Sequence, residues 1–241
     1  STKIIAISDI QKYEISDIHK ICPKEKIEVI PLGFDLKKFY TDTEKKRKKF
    51  RTEWNLSDDE TAIGIIGRLA PIKNHKFFID VIDRILKLTH KKLRFFIIGD
   101  GEEKENIITY IKSKNIEFSN NEKKATVQLT SWIKEIDIAN AGMDIICLCS
   151  KNEGTPVSLI EAQASSKPIV STKTGGIENI VIENETALLS DLNDLNSFTN
   201  NLLKLIESEK LRTQLIINSK NKSDEFNYKT LTNNIKNLYK Q

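Results

Sequence analysis

The stretch "TAIGIIGRLAPIKNHKFFIDVIDRILKLTHKKLRFFIIG", residues 61–99, decides the fold. Its two ends are short apolar runs rich in β-branched and aromatic residues, and the middle repeats apolar residues at helical spacing. A strand, a helix and a second strand in this order predict a βαβ unit with parallel strands. Neither strand alternates apolar and polar residues, which is typical of strands that helices cover on both faces.

The same alternation of predicted strands and helices continues to about residue 193. Four more strands are predicted at "ATVQL", "DIICLC", "KPIVS" and "TALLS", with helical segments between them. The six strands joined by crossovers predict an α/β fold with a Rossmann-like, doubly wound, parallel six-stranded sheet. Beyond residue 193, "LNSFTNNLLKLIES", "EKLRTQLIINSKN" and "YKTLTNNIKNLYK" lack Gly and Pro and predict a helical C-terminal tail.

The first 33 residues fit this plan poorly. "TKIIAIS" predicts a strand, "DIQKYEISDIHKIC" a helix and "KIEVIPLG" a second strand that ends at a Pro and a Gly. Because a strand, a helix and a strand cannot bury both faces of a sheet alone, we expect this segment to be the end of a preceding domain.

Composition excludes several classes of protein. The chain has 241 residues, 39% of them hydrophobic and 30% charged, and no apolar stretch approaches the ~20 residues that cross a bilayer. Its three cysteines form no C-x-x-C, and Cys147 and Cys149 are expected to be buried reduced thiols on one face of a strand. The three histidines show no metal-ligand spacing and no D-x-D pair occurs, so we expect no metal site.

The net charge of +4 arises partly from "EKKRKKF", residues 44–50. A solvated helix face is the favoured interpretation. The alternative is peripheral contact with an anionic membrane surface, since each Lys or Arg near acidic lipid gains about 1 kcal/mol. No aromatic residues interleave with the basic run, which disfavours nucleic acid as a partner.

Ligands of open parallel sheets bind at the carboxyl ends of the strands, where three loops qualify: "GRLAPIKN", "GDGEE" and "SKNEGTPVS". In the third loop we predict Thr155 as the N-cap of the next helix and Pro156 as its first residue. The unpaired N–H groups of Val157 and Ser158 would then form an anion site suited to a phosphate.

Charged residues surround this predicted anion site. Glu153 precedes the cap and Glu161 falls in the second helical turn, so the two carboxylates would flank one ligand and accept hydrogen bonds from sugar and ribose hydroxyls. A single Glu is usually just an exposed charge, but here a strand, a Gly-Thr-Pro turn and both acids occur together. Arg68 and Lys73 would bind phosphate oxygens and stabilise the charge that builds on a departing nucleotide.

Gly99 and Gly101 form a G-x-G without the third glycine of a dinucleotide fingerprint. We expect a tight turn that lets backbone approach a ligand or the following helix. No G-x-x-x-x-G-K-[ST] sequence occurs, which disfavours a P-loop NTPase.

Four segments, in this order, resemble the C-terminal donor-binding domain of the family-four retaining nucleotide-sugar glycosyltransferases, which have the two-domain GT-B fold. They are "IPLGFDLKKF", "GIIGRLAPIKN", "FFIIGDGEE" and "NEGTPVSLIEAQASSKPIVSTKTGGIENIV". The last is the most specific, because it contains the family's pair of glutamates eight positions apart.

The resemblance implies the role of each candidate residue. Arg68, Lys73 and Glu153 would be the catalytic residues. The donor, with a UDP-sugar favoured, would be bound by these three and by Gly67, Gly99, Ser131, Trp132, Ile133, Gly154, Thr155, Pro156, Val157, Ser158 and Glu161. In detail, Glu153 and the backbone after Gly154 would meet the sugar, Glu161 the ribose, Arg68 and Lys73 the diphosphate, and residues 131–133 the base. No cofactor other than the donor and no metal is implied.

The resemblance also implies a division of the chain. Residues 1–33 would be a remnant of the N-terminal acceptor domain with the interdomain linker, 34–225 the donor-binding domain, and 226–241 a helix crossing back to the N-terminal domain. Partners would be the donor, a glycan or lipid-linked acceptor and the missing N-terminal domain, in a cytoplasmic or membrane-peripheral setting. A GT-B-like epimerase or phosphorylase and a non-catalytic binding module stay open as alternatives.

Overall fold

The computed structural model describes residues 3–121 and 124–240. The strands in chain order are β1 (Ile4–Ala6), β2 (Ile27–Val29), β3 (Thr61–Ile66), β4 (Leu93–Ile98), β5 (Phe118–Ser119), β6 (Val127–Ser131), β7 (Ile145–Leu148), β8 (Ile169–Thr172) and β9 (Ala187–Ser190). The helices are α1 (Asp9–Tyr13), α2 (Lys37–Tyr40), α3 (Thr43–Glu53), α4 (His75–Leu88), α5 (Lys104–Ser113), α6 (Ile136–Gly142), α7 (Val157–Ala164), α8 (Ile177–Ile180), α9 (Leu195–Glu207), α10 (Glu209–Asp224) and α11 (Tyr228–Leu238).

Seven parallel strands form the central sheet, in the order β5-β6-β4-β3-β7-β8-β9. All six predicted strands are present, which confirms the α/β, doubly wound parallel sheet. The seventh strand, β5, adds an edge that the prediction of six strands missed. It has two residues, Phe118 and Ser119, too few to show a period in the sequence.

Helices cover both faces of the sheet and create two cores. In β4 the side chains of Phe95 and Ile97 pack on one side among residues of α4, α5 and α9, and Phe96 and Ile98 pack on the other among residues of α3, α6 and α7. Because side chains on both faces of the sheet are buried, the strands are continuous apolar runs in the sequence. Cys147 and Cys149 are free and buried in the first core, as predicted.

The helical tail forms as predicted, as α9, α10 and α11. The start of the last helix lies against the segment that leads into the main domain. Phe34 N donates to Phe226 O at 2.8 Å and Tyr228 N donates to Phe34 O at 3.0 Å. A Cβ added to Gly33 would lie 2.6 Å from the Leu231 Cβ, so only glycine permits this close approach.

The first elements of the chain form a small unit of their own. β1 and β2 pair only with each other within the described residues. The helix predicted between them is shorter than expected, because α1 gives way to a π-helical turn at Glu14–Ile18 and Lys20 then adopts a φ of 50°. Ile18 and Ile21 are 57% and 66% exposed, so this unit leaves apolar surface uncovered. Residues 1 and 2 of the predicted segment lie outside the described residues.

The basic run at residues 44–50 is only partly the solvated face that was predicted. Most of its cations pair within the chain: Lys46 with Asp137 at 2.9 Å, Arg47 with Asp144 at 2.7 Å and Lys49 with Glu135 at 2.8 Å. These ion pairs join α3 to α6 and to the residue before β7. Within the described ranges, Lys45 and Lys48 alone of the run's cations are exposed without an ion pair.

Across the described residues, none of the helices combines the length and the apolar character that a membrane crossing requires.

Candidate functional site

An ion pair joins the loops that follow β3 and β7. Lys73 ends a short 3-10 turn, Pro71–Lys73, and its Nζ lies 2.5 Å from Glu153 Oε1. Ser150 Oγ donates to the same carboxylate oxygen at 2.5 Å. The Glu153 side chain is only 10% exposed and that of Lys73 is 24% exposed, so the contact is shielded from solvent and charge-assisted. The structure therefore brings these two predicted site residues together.

Arg68, the second predicted cation, has a different partner. Its Nε donates to Glu102 Oε2 at 3.1 Å, and its Nη2 lies 3.0 Å from the same oxygen in an ion pair. The Arg68 side chain is 67% exposed. The backbone N–H of Glu102 itself, together with the guanidinium, lowers the pKa of the Glu102 carboxyl. Glu102 was absent from the predicted site; the tandem glutamates of "GDGEE" were its only signal.

The glycines of the neighbouring loops bring backbone segments close together. Gly99 has a φ of 146°, and a Cβ there would lie 1.9 Å from Gly67 O. Gly101 has a φ of 156°, and its Cβ would lie 2.5 Å from Leu69 O. The G-x-G turn thus approaches the loop after β3, rather than the helix that follows it. Contact of Gly67 and Gly99 with a donor stays a prediction.

The start of α7 differs from the prediction by one residue. Thr155 is not the N-cap: the helix begins at Val157 and Pro156 is the capping residue, with φ −72° and ψ 90°. The proline ring fixes φ but leaves ψ free, so Pro156 is not helical although its ring suits a first turn. Pro156 O accepts from Leu159 N at 3.0 Å.

This shift leaves the predicted anion site in place. Val157 and Ser158 are now the first two helical residues, so their N–H groups have no intrahelical acceptor. Both point along the helix axis with the positive end of the macrodipole. Binding of a phosphate at the end of α7, directly after the loop that holds Glu153, stays a prediction.

Glu161 lies in the second turn of α7 and is largely buried. Burial raises the pKa of its carboxyl to about 7; Lys38 opposes this rise and Asp137 adds to it. Within residues 3–121 and 124–240 the carboxyl group makes no hydrogen bond. Glu161 and Glu153 therefore have different charged neighbours, and the approach of both carboxyl groups to one ligand stays a prediction.

The loop after β8 holds the backbone of Glu153 and Gly154 in position. Gly176 N donates to Glu153 O at 2.7 Å. A Cβ on Gly176 would lie 1.7 Å from Gly154 O, and one on Gly175, where φ is 53°, would lie 2.1 Å from Glu153 O. These two glycines were missing from the predicted site residues, although the Gly-Gly pair was visible in the sequence.

The side chains of residues 131–133, predicted to lie near the base, have different surroundings. Ser131, with a φ of 59°, donates from Oγ to the Asp100 carboxylate, and this bond is the largest of several that lower the pKa of Asp100 to about 2. Trp132 is 62% exposed, whereas Ile133 packs against the second core near Trp54. A role for these three residues in binding a base stays a prediction.

No cluster of three or more His, Cys, Asp or Glu side chains that could hold a metal occurs in the part of the chain that the structure describes. The cations of the site and the N-terminus of α7 are its positive groups.

Comparison with known proteins identifies the family. The family model described as "Glycosyl transferases group 1" matches residues 46–222. The chain is 31% identical over 231 residues to UDP-Gal:alpha-D-GlcNAc-diphosphoundecaprenol alpha-1,3-galactosyltransferase of Escherichia coli, covering 91% of this chain and 57% of that protein. It is 22% identical to the D-inositol 3-phosphate glycosyltransferase of Corynebacterium efficiens, covering 95% of this chain and 54% of that protein.

Solved structures share the fold. Anabaena Alr3699/HepE in complex with UDP and glucose superposes with a TM-score of 0.83 at 20% identity, over 100% of this chain and 63% of that one. The chain thus spans 54–63% of the length of these proteins. The resemblance to group 1, family-four-type glycosyltransferases and to the GT-B fold is confirmed. Since the family model matches most of its length, the chain belongs to the family of group 1 glycosyl transferases.

Proposed function

We propose that this chain is the donor-binding portion of a glycosyltransferase that moves a sugar from a nucleotide-diphosphate sugar to an acceptor with retention at the anomeric carbon. The observation that carries this proposal is the contact between Lys73 and Glu153 at 2.5 Å, beside the N-terminus of α7. It places a cation, a carboxylate and free helical N–H groups at one edge of the sheet, which is where open α/β sheets bind ligands.

Each group has a chemical task in this proposal. The N–H groups of Val157 and Ser158, with Lys73 and Arg68, bind the diphosphate. Glu153 accepts hydrogen bonds from sugar hydroxyls and holds Lys73 in position, and Glu161 accepts from the ribose. As the bond between the anomeric carbon and the diphosphate oxygen breaks, the cations stabilise the charge on the departing nucleotide. The acceptor hydroxyl gives its proton to the departing diphosphate oxygen, and its own oxygen bonds to the anomeric carbon on the same face.

A UDP-sugar is the favoured donor, and we expect transfer without a bound metal. The name of the E. coli relative specifies UDP-Gal, and the Anabaena structure contains UDP and glucose. The positive charge that a metal would bring to the diphosphate can come from Arg68, Lys73 and the end of α7. Residues 131–133 would lie near the base.

The acceptor is proposed to be a glycan or lipid-linked sugar in synthesis of a surface polysaccharide or glycolipid. The names of the E. coli relative and of a Campylobacter jejuni relative, 25% identical over 205 residues, both specify undecaprenol-linked acceptors. A cytoplasmic, membrane-peripheral location fits such an acceptor. Lys45 and Lys48 are the exposed cations of the basic run that could contact anionic lipid.

The acceptor side of the cleft is proposed to come from an N-terminal domain. Residues 1–33 would be its remnant, 34–225 the donor domain, and 226–241 the helix that returns to it. The support is the exposed apolar surface on both segments, including Ile18, Ile21 and Tyr239, the last 86% exposed. Alone, this chain would bind nucleotide weakly and transfer sugar poorly.

The stereochemical outcome tests the reaction class. The full-length protein would be incubated with a UDP-sugar and an undecaprenyl-linked acceptor, and the anomeric configuration of the product read by NMR. The proposal predicts a new glycosidic bond with the configuration of the donor. An inverted product, an epimerised nucleotide sugar or a free sugar phosphate would contradict it.

A further inference from the structure

A second cavity lies at the same edge of the sheet, on the side of α4 and α5. Its volume is about 190 Å³, and the residues that matter for its chemistry are Asn74, His75, Lys76, Glu103 and Lys151. We call it the His75 pocket. It involves the loops after β3, β4 and β7. The candidate donor site shares the loops after β3 and β7, but it also includes the N-terminus of α7, a helix that packs in the other core.

The N-terminus of α4 opens on this pocket. Helix α4 has 14 residues, and its capping residue, Asn74, has a φ of 56° and makes no side-chain capping bond. Asn74 O accepts from Phe77 N at 3.0 Å, which leaves the N–H groups of His75 and Lys76 without an intrahelical acceptor. The positive end of this helix is therefore available to an anion.

A buried polar atom without a partner provides an independent indication of a ligand. His75 is 4% exposed and lines the pocket. Its Nδ1 has no hydrogen-bond partner in the described part of the chain. Burial, with a smaller contribution from Lys73, lowers the pKa of His75 to about 4, so the ring is neutral near pH 7 and can donate one hydrogen bond.

Two lysines add positive charge. Lys76 and Lys151 are exposed, line the pocket and have no ion pair among the described residues. Three cations that follow β3 and β4 are paired: Arg68 with Glu102, Lys73 with Glu153, and Lys104 with Asp100. Lys76 Nζ lies 5.9 Å from the centre of the Tyr110 ring, a weak interaction that leaves it able to turn toward an anion.

One acid also lines the pocket. Glu103 is the capping residue of α5, and its Oε1 accepts from Asn106 Nδ2 at 2.9 Å. Two lysines and a helix N-terminus exceed this one negative charge, so the pocket is positive overall.

We propose that the His75 pocket binds a small oxyanion of the phosphate type. The unpartnered His75 ring nitrogen, the N–H groups of His75 and Lys76, and the two lysine ammonium groups are the donors. The volume of about 190 Å³ suits such an anion and is below the ~300 Å³ at which pockets for larger organic ligands begin. Inorganic phosphate and the phosphate group of a larger molecule share this chemistry.

An anion in this pocket would act on the candidate donor site through two short loops. Lys151 N donates to Ile72 O at 2.8 Å, which already ties the loops together. Lys151 is two residues before Glu153, and His75 is two residues after Lys73. An anion that bridges Lys151 and His75 would therefore restrain both loops that carry the Lys73–Glu153 pair, and linkage would make it an effector of donor binding.

The test uses the imidazole resonances. The chain has three histidines, and His19 and His90 are exposed, so they serve as internal controls. Sodium phosphate would be titrated at pH 7.5 against sodium chloride of equal ionic strength, with long-range nitrogen–proton spectra recorded at each step. We expect saturable shifts at His75 and none at His19 or His90. Absence of a saturable shift at His75 would overturn the proposal.

Variants assign the shift to the pocket. Lys76→Ala/Lys151→Ala should weaken phosphate binding at least tenfold, while Lys45→Ala/Lys48→Ala, which removes the same charge from α3, should leave it within twofold. Equal weakening by both would mean a non-specific charge effect and would overturn the proposal.

A titration with uridine monophosphate in place of phosphate separates the two sources of the anion. The same saturable shift at His75 would show that the pocket also binds a phosphate group on a larger molecule, and no shift would assign the pocket to free phosphate.

The same titration on Arg68→Ala separates this pocket from the candidate donor site. We expect an unchanged phosphate affinity at His75. A tenfold loss would show that the resonance reports phosphate bound at the donor site, which would also overturn the proposal. Since no step requires a nucleotide sugar, the outcome does not depend on the proposed transferase function.

Discussion

Lys73 Nζ and Glu153 Oε1 lie 2.5 Å apart across the loops that follow two neighbouring strands, β3 and β7. The pair is mostly buried, and Ser150 Oγ binds the same carboxylate oxygen. A bond of this kind holds the ammonium group in one position between the two loops.

The first prediction concerns the ion pairs between α3 and the start of β7. Asp144 accepts from Arg47 at 2.7 Å, from Arg51 at 3.3 Å and from Ala62 N at 2.8 Å. Asp144→Ala would remove the carboxylate partner of the buried Arg51 Nη1 and of the Ala62 N–H, and should lower the free energy of unfolding by about 3 to 5 kcal/mol. Urea unfolding measures this.

Lys49→Ala is the matched control for that change. It removes an ion pair between side chains that are 53% and 62% exposed, so it should lower the free energy of unfolding far less than Asp144→Ala does. Equal losses for the two variants would show that Asp144 does not organise this part of the fold.

The second prediction concerns the close approach of Gly176 to Gly154 O. An added Cβ would lie 1.7 Å from that oxygen, so Gly176→Ala must displace the loop and weaken the bond from Gly176 N to Glu153 O. We expect a loss of unfolding free energy above about 2 kcal/mol, because the added methyl group would overlap backbone atoms that have little room to move. Thermal unfolding measures this.

Gly67→Ala is the control, because its Cβ would meet only Lys73 side-chain atoms, the nearest at 3.7 Å, an ordinary contact. It should change stability by less than about 1 kcal/mol. Similar losses for both variants would contradict the proposed tight packing at Gly176.

The third prediction concerns pH. The pKa of Glu161 is raised from 4.5 to about 7 in the folded chain, so the folded state binds this proton more tightly than the unfolded state does. Ionisation of Glu161 therefore lowers the free energy of unfolding. This penalty is absent below about pH 4.5, grows as pH rises toward 7, and is complete above it. Its size is on the order of 3 kcal/mol.

The comparison of wild type with Glu161→Gln isolates this penalty. The variant cannot ionise, so its stability relative to wild type should increase between pH 5 and pH 8. Urea unfolding at four pH values in this range measures the difference. A difference that stays constant with pH would show that Glu161 ionises normally.

The fold was predictable because its elements are long and strongly periodic. Strands such as β3 and β4 are continuous apolar runs, and α4 repeats apolar residues over 14 positions. β5, with two residues, has no such period, and the start of α7 was misplaced because the ψ of Pro156 depends on the surrounding loop.

The site was only partly predictable, because several of its contacts join residues far apart in the chain. Lys73 and Glu153 were expected at one edge of the sheet from the strand order alone. The partner of Arg68 is Glu102, 34 residues away, and that of Arg47 is Asp144, 97 residues away. Such pairings depend on how loops and helices pack, which local periodicity does not encode.

The most direct test of the central claim is a calorimetric titration of this chain with UDP, on wild type, Lys73→Met and the control Lys45→Met. If Lys73 binds the diphosphate, Lys73→Met should lose about 1.5 to 3 kcal/mol of binding free energy, while Lys45→Met, with an exposed and unpaired lysine replaced, should bind as wild type does. Equal UDP affinity of wild type and Lys73→Met would contradict a nucleotide-sugar site at this edge of the sheet.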